Sequence, residues 1–475
     1  MTVTNCRLHQ YNYYEILGVI IIDKNNITVV DCIMGAGKTS YAIQYINENP
    51  MMSFVYCTPF LKEVERIKRE CLVANFKEPT HKNGRKIDDF NQLLMNGENV
   101  VLTHSTFENA NKDTIEYIKN NDYILILDET LNALESFNDV CTDVSKTVKK
   151  GDIEILFDKK LISVDDYGRV SWIDDSYSDN HFTEVEKFAK NGTLLYLDNS
   201  LFVWEFPSTI FELFKHVYVF TYMFDGSILK PYFEYHGIGY EKKSVIKESY
   251  DRPYGWLYYQ RLEEYGLYYR YRLVDYNPDH ETITKCKQLI TIYQNEKSNN
   301  YRGTSLSKKW YEKNTKKLPE LKNHLRNFFV NYMHAKSKDI LWTCTKKYLN
   351  NLKGYGYGCV RQLTYEEKHS EQREEIEKRL SCFLSCNAKA TNDFADRSVL
   401  AYCVNLFLNP YIKKYFSNKN MKDGTQIEVD EDLYALSNML QWIFRSQIRN
   451  GKEITIYIPS KRMRTLLERW LNLDW

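Results

Sequence analysis

Two short stretches carry residue types whose spacing can do chemistry. Gly35, Ala36, Gly37, Lys38 and Thr39 follow the apolar run ITVVDCI, and Asp128 and Glu129 follow the apolar run YILIL. A strand that ends in small residues and passes into Gly-Lys-Thr at a helix start aims backbone N–H groups at one point, and that point attracts phosphate. Gly35 and Gly37 permit the tight path, Lys38 reaches the β- and γ-phosphates, and the Thr39 hydroxyl ligates Mg²⁺. Cys32 stands where the longer form of this pattern has a glycine, so the loop reads as the short G-x-G-K-T form. An acidic pair at the end of an apolar strand supplies the rest: Asp128 to hold Mg²⁺ through water, Glu129 to polarise a water in line with the γ-phosphate. The chemistry implied is ATP hydrolysis with Mg²⁺.

These residues need a parallel sheet behind them. Apolar runs alternate with helix-like spacing: ITVVDCI, then TSYAIQYINEN; MSFVYCTPF, then LKEVERIKRECL; NVVLTHSTF; and YILIL. That is the pattern of an α/β protein whose strand ends converge on one crevice. With 475 residues, 43% of them hydrophobic, the chain can form two or three packed domains. No run approaches eighteen apolar residues, so no membrane partner is expected. The first residues lack the charged-then-apolar pattern of a secretory leader, so the expected compartment is a reducing cytoplasm. The eleven cysteines are scattered through apolar runs. Cys382 and Cys386 have no second pair to complete a zinc set, so all are expected as buried thiols. Lys and Arg (64) nearly balance Asp and Glu (63), so any nucleic-acid surface must be local.

The order GAGKT, YCTPFLKE, LTHSTF, LILDET and VFTYMFDGS resembles motifs I, Ia, Ib, II and III of superfamily 2 helicases, in the form that bacteriophages encode. The resemblance implies two RecA-like P-loop domains with ATP between them and a nucleic-acid strand across their top. Carried over, Lys38 and Thr39 fall on motif I and Asp128 and Glu129 on motif II. Thr58 and Thr103 fall on the threonines that contact the nucleic-acid backbone. Thr221 takes the place of the Ser/Thr of motif III, with Tyr222 and Met223 departing from it. The partner implied is DNA, single-stranded or forked, with RNA as a second possibility, together with replication or recombination proteins in a bacterial host cytoplasm.

The C-terminal part resembles the second domain more loosely. ILWTC corresponds to motif IV and NAKATNDFADR to motif V, with Arg397 just past that strand-like stretch. Gln441, Arg445 and Arg449 stand at helical spacing and are expected to form one polar stripe on a helix. In the family, motif VI is a Gln followed by Arg at +4 and +7, and here the second Arg falls at +8. Gln441 is thus expected at the nucleotide, and Arg445, then Arg449, as the arginine finger that neutralises transition-state charge.

The expected fold is therefore α/β, two RecA-like domains with a β-hairpin insertion and a connecting region. The first domain is placed at 1–235, with the insertion at about 140–200 centred on Tyr167-Gly168. A connecting region follows at 236–330, and the second domain at 331–475. Within the connecting region, aromatics alternate with Arg252, Arg261, Arg270 and Arg272, a mixture that suits base stacking or an amphipathic strand meander. The basic stretch from Leu306 to Phe329 is the preferred footprint for a phosphate backbone. Two other readings keep the same phosphate loop. One is a DNA-packaging ATPase with a nuclease domain, for which Asp393 and Asp396 are the acidic pair. The other is a nucleotide-gated interaction protein that separates no strands.

Overall fold

The computed structural model describes residues 26–474 except 82–83, 142–143, 178, 252–259, 263–266, 388–392, 418, 420 and 422–423. Nine strands follow one another from the N-terminal side: β1 (Ile27–Asp31), β2 (Ser53–Thr58), β3 (Val100–Thr103), β4 (Tyr123–Asp128), β5 (Leu134–Ser136), β6 (Ile162–Val164), β7 (Val170–Trp172), β8 (Leu194–Leu197) and β9 (Leu201–Glu205). Then come β10 (His216–Thr221), β11 (Glu241–Tyr250), β12 (Gln260–Leu262) and β13 (Leu267–Asp275). The last four are β14 (Ile290–Ile292), β15 (Ile340–Thr343), β16 (Val399–Tyr402) and β17 (Ile454–Tyr457). The first sheet has eight strands in the order β12-β13-β11-β1-β10-β4-β2-β3, the second four in the order β14-β17-β16-β15.

Every pairing in the second sheet is parallel, as is every pairing from β11 through β3 in the first. The reason is visible in the residues. β1 and β4 are buried along their whole length, which is what continuous apolar runs give when helices cover both faces of a sheet. The fold is thus α/β with one wholly parallel sheet and one that is parallel from β11 through β3, as the alternation of strand and helix implies. Among the described residues no helix is long and apolar enough to cross a membrane. Ten cysteines are free thiols there, eight of them buried, used as small apolar side chains.

The Tyr/Arg-rich stretch proves to be sheet. β11 and β13 pair antiparallel, β12 joins the outer side of β13, and β11 lies parallel to β1. The strands β11, β12 and β13, expected in a separate connecting region, therefore extend the first sheet, and β14 is the first strand in sequence of the second. The described arginines are engaged in the protein: Arg270 with Glu48 at 2.8 Å and Arg272 with Glu248 at 2.8 Å. The side chains of Arg252 and Arg261 lie outside the described residues.

The insertion after β4 holds the hairpin centred on Gly168, with Ile162 opposite Trp172 and Val164 opposite Val170. Its tip turns at Gly168, φ +84°, where Asp165 accepts the backbone N–H groups of Tyr167 and Arg169. A second small sheet, β5-β9-β8, completes the insertion. One buried carboxylate fastens it to its surroundings. Glu205 of β9, only 2% exposed, accepts from Arg169 at 2.5 Å, from His236 at 3.2 Å and from the Tyr415 hydroxyl at 3.0 Å. Tyr415 belongs to the helix Pro410–Ser417, so a segment numbered within the second domain packs into the core of the first.

Burial alone would raise the Glu205 pKa, but the His236 hydrogen bond and the Arg169 charge bring it below its ordinary value of 4.5. The sign of the linkage follows. A depressed folded pKa gives stability that is fully present above the ordinary value and is lost as pH falls through the folded one. Glu205→Gln is expected to cost about 3 kcal/mol at pH 7, because it leaves Arg169 without its counter-charge. Thermal melts of wild type and variant at pH 7 and at successively lower pH check this: the gap between the two midpoints should narrow below pH 4.5.

Candidate functional site

The carboxyl ends of β1, β10 and β4 lie side by side, and each delivers functional groups to one crevice. After β1 the chain enters the loop and then α1 (Lys38–Glu48), whose N-cap is Gly37 at φ +104°. Only glycine fits Gly37 for a second reason: a Cβ there would lie 2.1 Å from the Tyr271 ring of β13. Gly35, at φ +89°, has open space around it, and the Ala36 N–H donates to the Ile33 carbonyl at 3.2 Å. The Lys38 ammonium donates to the carbonyls of Cys32 and Ile33, the latter at 3.2 Å.

Two carboxylates that sequence reasoning missed hold this loop. Asp31 accepts the backbone N–H groups of Met223 at 2.7 Å and Phe224 at 3.0 Å, joining β1 to the turn after β10. Asp279, at the start of the helix His280–Leu289, accepts the Ile33 N–H at 2.7 Å. Asp31 could have been suspected, since an Asp closing an apolar strand just before a phosphate loop needs a partner. Asp279 lies too far along the sequence to leave a signal.

Thr39 and Asp128 come together as expected, Oγ1 to Oδ2 at 3.4 Å. Tyr56 of β2 also donates to Asp128 Oδ2, at 3.0 Å. Burial pushes the Asp128 carboxyl up to about 7, and the negative charges of Glu63 and Glu129 add to the effect. Glu63 is on α2 (Leu61–Glu70). Glu129 is held in the left-handed region at φ +74°, with its N–H on the Phe220 carbonyl at 2.9 Å. A glutamate in that conformation is strained by about 1 kcal/mol or more, a cost concentrated where a side chain must be aimed.

The second domain brings one cation to this acidic pair. Arg445 Nη2 lies 3.9 Å from Glu129 Oε1, the residue is only 6% exposed, and its Nε has no hydrogen-bond partner among the described residues. Burial pulls its guanidinium below the ordinary value and Glu129 offsets this in part. Arg449 stands exposed nearby, and its charge is felt by both Glu63 and Arg445.

The route to this arrangement differs from the expected stripe. The helix Glu431–Ile443 carries Gln441, half-buried, and stops before Arg445; Arg449 sits in a separate 3-10 turn, Gln447–Asn450. Trp442, Ile443 and Phe444 are all buried, and three successive residues cannot share one helical face. The chain turns instead, with the Arg445 N–H on the Trp442 carbonyl at 3.1 Å. Arg397 precedes β16 rather than following a strand. It is buried, donates to the Lys338 carbonyl and lies over the Phe394 ring.

Thr58 closes β2 wholly buried, its hydroxyl without a hydrogen-bond partner among the described residues. Thr103 lies at the rim, its hydroxyl bonded to those of Ser105 at 3.2 Å and Thr106 at 3.3 Å. It lines a cavity of 920 Å³ with Pro59, Arg85, Lys86 and, from the insertion, Lys187. Thr221 closes β10, and its carbonyl accepts the Cys32 N–H at 3.2 Å. Its neighbour Tyr222 meets the second domain: the Trp470 indole donates to its hydroxyl at 2.9 Å and Ser437 to its carbonyl at 3.2 Å.

Comparison with known proteins places this architecture among relatives. Residues 284–471 match the YonV C-terminal Rossmann-like domain, and residues 144–204 match the YonV middle domain. The SPbeta prophage-derived uncharacterized protein YonV of Bacillus subtilis (strain 168) is 34% identical over 463 residues, covering 94% of this chain and 98% of that one. Among solved structures, Xpd4 of S. tokodaii aligns over 95% of this chain and 94% of its own at 14% identity, TM-score 0.43. An XPD helicase aligns over 94% and 96% at 10% identity, TM-score 0.49.

The elevated Asp128 pKa has a consequence independent of any ligand. A carboxyl whose folded pKa exceeds its unfolded one destabilises the fold as pH rises from the ordinary value of 3.8 toward 7. Asp128→Asn is expected to raise the thermal midpoint at pH 8, by a few kcal/mol of stability, and to leave it nearly unchanged near pH 4. Paired melts at the two pH values measure both effects.

Proposed function

The chain belongs to the YonV family, and we propose that it is an ATP-hydrolysing, helicase-like motor driven along nucleic acid, DNA first and RNA second. One observation carries the reading: Arg445, buried and with its Nε unpartnered among the described residues, is held by the second domain 3.9 Å from Glu129 of the acidic pair in the first. A guanidinium so placed gains its missing partners from an anion in the cleft.

The residues fit ATP and Mg²⁺. Backbone N–H groups of Gly35 to Lys38 and the Lys38 ammonium bind the phosphates. The Thr39 hydroxyl and the buried Asp128 carboxylate are the pair that would hold Mg²⁺, which when bound supplies charge neutralisation on the β- and γ-phosphates. Glu129, aimed by its left-handed backbone, orients the attacking water and takes its proton. Arg445 and, from the exposed side, Arg449 offset the charge that builds on the transferred group. Gln441 stands on the helix that leads into Arg445 and positions the nucleotide's polar edge.

Support for a phosphodiester partner comes from local charge. In the helix Lys308–Lys313 and the turn after it, Lys308, Lys309, Lys313, Lys316 and Lys317 are exposed with no carboxylate partner among the described residues. Tyr311 of that helix donates to the Cys403 carbonyl at 2.6 Å and stacks on Tyr348, so the helix lies by Lys346 and Lys347 at the carboxyl end of β15. On the first domain, Thr103 and the basic residues of the cavity beside it would grip a backbone without reading bases. The prophage origin of the relative supports a phage setting in the cytoplasm of a bacterial host, with replication or recombination proteins as partners. A packaging nuclease is less well served, since Asp393 is paired with Lys62 and Asp396 with Arg397.

Steady-state ATP hydrolysis without nucleic acid, with single-stranded DNA, with forked DNA and with RNA tests the reading. Nucleic acid should stimulate the wild type, Lys38→Ala should abolish turnover, and Arg445→Ala should lower it by about 10³-fold or more. Turnover indifferent to every nucleic acid, or intact in Arg445→Ala, favours the nucleotide-gated interaction protein.

A further inference from the structure

A part of the second domain has no place in the ATPase crevice. Between β15 and β16 the chain throws out an arm, the short helices Tyr365–Lys368 and Arg373–Leu380, neither of which buries a single residue. A helical arm with no apolar face gains nothing from packing on the domain that carries it. Its internal order comes from ion pairs: Arg361 with Glu367 at 2.7 Å, Arg373 with Glu377 at 3.0 Å and Arg379 with Glu375 at 2.5 Å.

Under the arm lies a cavity of 1180 Å³, outside the edge strand β15. Its wall carries six Lys and Arg side chains against three Asp and Glu. Lys346 and Lys353 come from the domain, Lys368 and Lys378 from the arm, and none of these four has a carboxylate partner among the described residues. Phe383 and Phe394 form part of the floor. Cations that converge from two sides on a hollow with aromatic rings suit a chain of phosphates bearing flat bases.

The position of the cavity says which chain. Asp393, on its rim, pairs with Lys62 of α2 at 3.0 Å, across the junction of the domains. Leu61, next to Lys62, lines the cavity that contains Thr103. The two hollows thus flank one exposed ion pair, with side chains 69% and 34% exposed, a contact of the kind that contributes little and yields easily.

We propose that the cavity under the arm is a clamp for single-stranded nucleic acid, in which Lys368 and Lys378 close over phosphates of the strand that leaves the first domain at Thr103. This rests on the motor reading and adds where the strand goes once it crosses between the domains. The clamp acts on the backbone, so it holds a strand of any sequence, and it lies apart from the groups that hydrolyse ATP.

Lys368→Glu/Lys378→Glu tests it, with Lys368→Gln/Lys378→Gln as the milder pair; both positions are exposed on the arm and outside the ATP crevice. Binding of labelled oligothymidylate and oligouridylate is measured across a salt series, beside hydrolysis without nucleic acid. The clamp requires unchanged thermal midpoints and basal hydrolysis, affinity reduced by roughly tenfold or more at low salt, and a salt dependence shallower by about 1.4 in log–log slope for two phosphates lost. The better-held oligonucleotide identifies the strand as DNA or RNA. Wild-type affinity and slope in both double variants overturn the clamp and leave the motor standing. Failure of the wild type to bind either oligonucleotide overturns both.

Discussion

A carboxyl whose burial pushes its pKa up to about 7 is the point around which the site is organised. Asp128 closes β4 with Tyr56 on one oxygen, Thr39 facing that same oxygen, and the charges of Glu63 and Glu129 close by. In water such a carboxyl would stay ionised through most of the accessible range. Here three acids lie together: Glu63 is paired with Arg66 at 3.1 Å, while the cations that face Asp128 and Glu129 are Lys38, folded back on its own loop, and Arg445, whose approach is a long one. The crevice therefore holds more negative than well-paired positive charge. That imbalance lowers stability and at the same time draws in cations, and it accords with the expectation that strain and desolvation gather where chemistry is done.

The imbalance can persist because the surroundings are over-determined. Asp31 ties the end of β1 to the turn after β10, and Asp279 ties the phosphate loop to the first helix of the second domain. Tyr222, in that turn, is gripped through its hydroxyl by Trp470 and through its carbonyl by Ser437, and Ile33 of the loop packs in the same core. The glycine-rich loop, the turn beside it and three helices, His280–Leu289, Glu431–Ile443 and Lys461–Leu471, are consequently tied together. In the proposed motor, movement of the second domain would reach the loop through the hydrogen bonds of Tyr222 and Asp279.

Much of the crevice was legible because local sequence determines it. The G-x-G-K-T loop, the acidic pair after YILIL and the turn at Gly168 each announce themselves within a few residues, and buried parallel strands leave unbroken apolar runs. What escaped depends on distant neighbours. The Tyr/Arg-rich stretch alternates in the way a nucleic-acid surface or a strand would, and only pairing of β11 with β1 decides for the strand, with Tyr271 set against Gly37. Arg445 was identified by spacing along a helix that ends two residues earlier; its type and neighbourhood were informative, its geometry was not. Arg397 is placed by sequence just past the strand-like stretch in NAKATNDFADR, whereas the sheet takes up 399–402, after it. The packing of Tyr415 against Glu205, joining residues 210 positions apart, had no sequence signal at all.

The strength of contact is uneven across the junction of the domains. At the phosphate loop it is buried and specific, through Tyr222, Trp470 and Asp279, and Tyr415 adds a buried bond to Glu205; the pair Lys62–Asp393 is exposed. A joint that is firm at one side and weak at the other turns about the firm side. In the proposed motor, rotation of that kind would leave the phosphate loop attached to both domains and change the distance from Arg445 to Glu129 and the width of the groove between the two basic hollows. Under that reading a small change at the nucleotide would be converted into a larger one where a strand would lie, which is the lever that movement along a polymer requires.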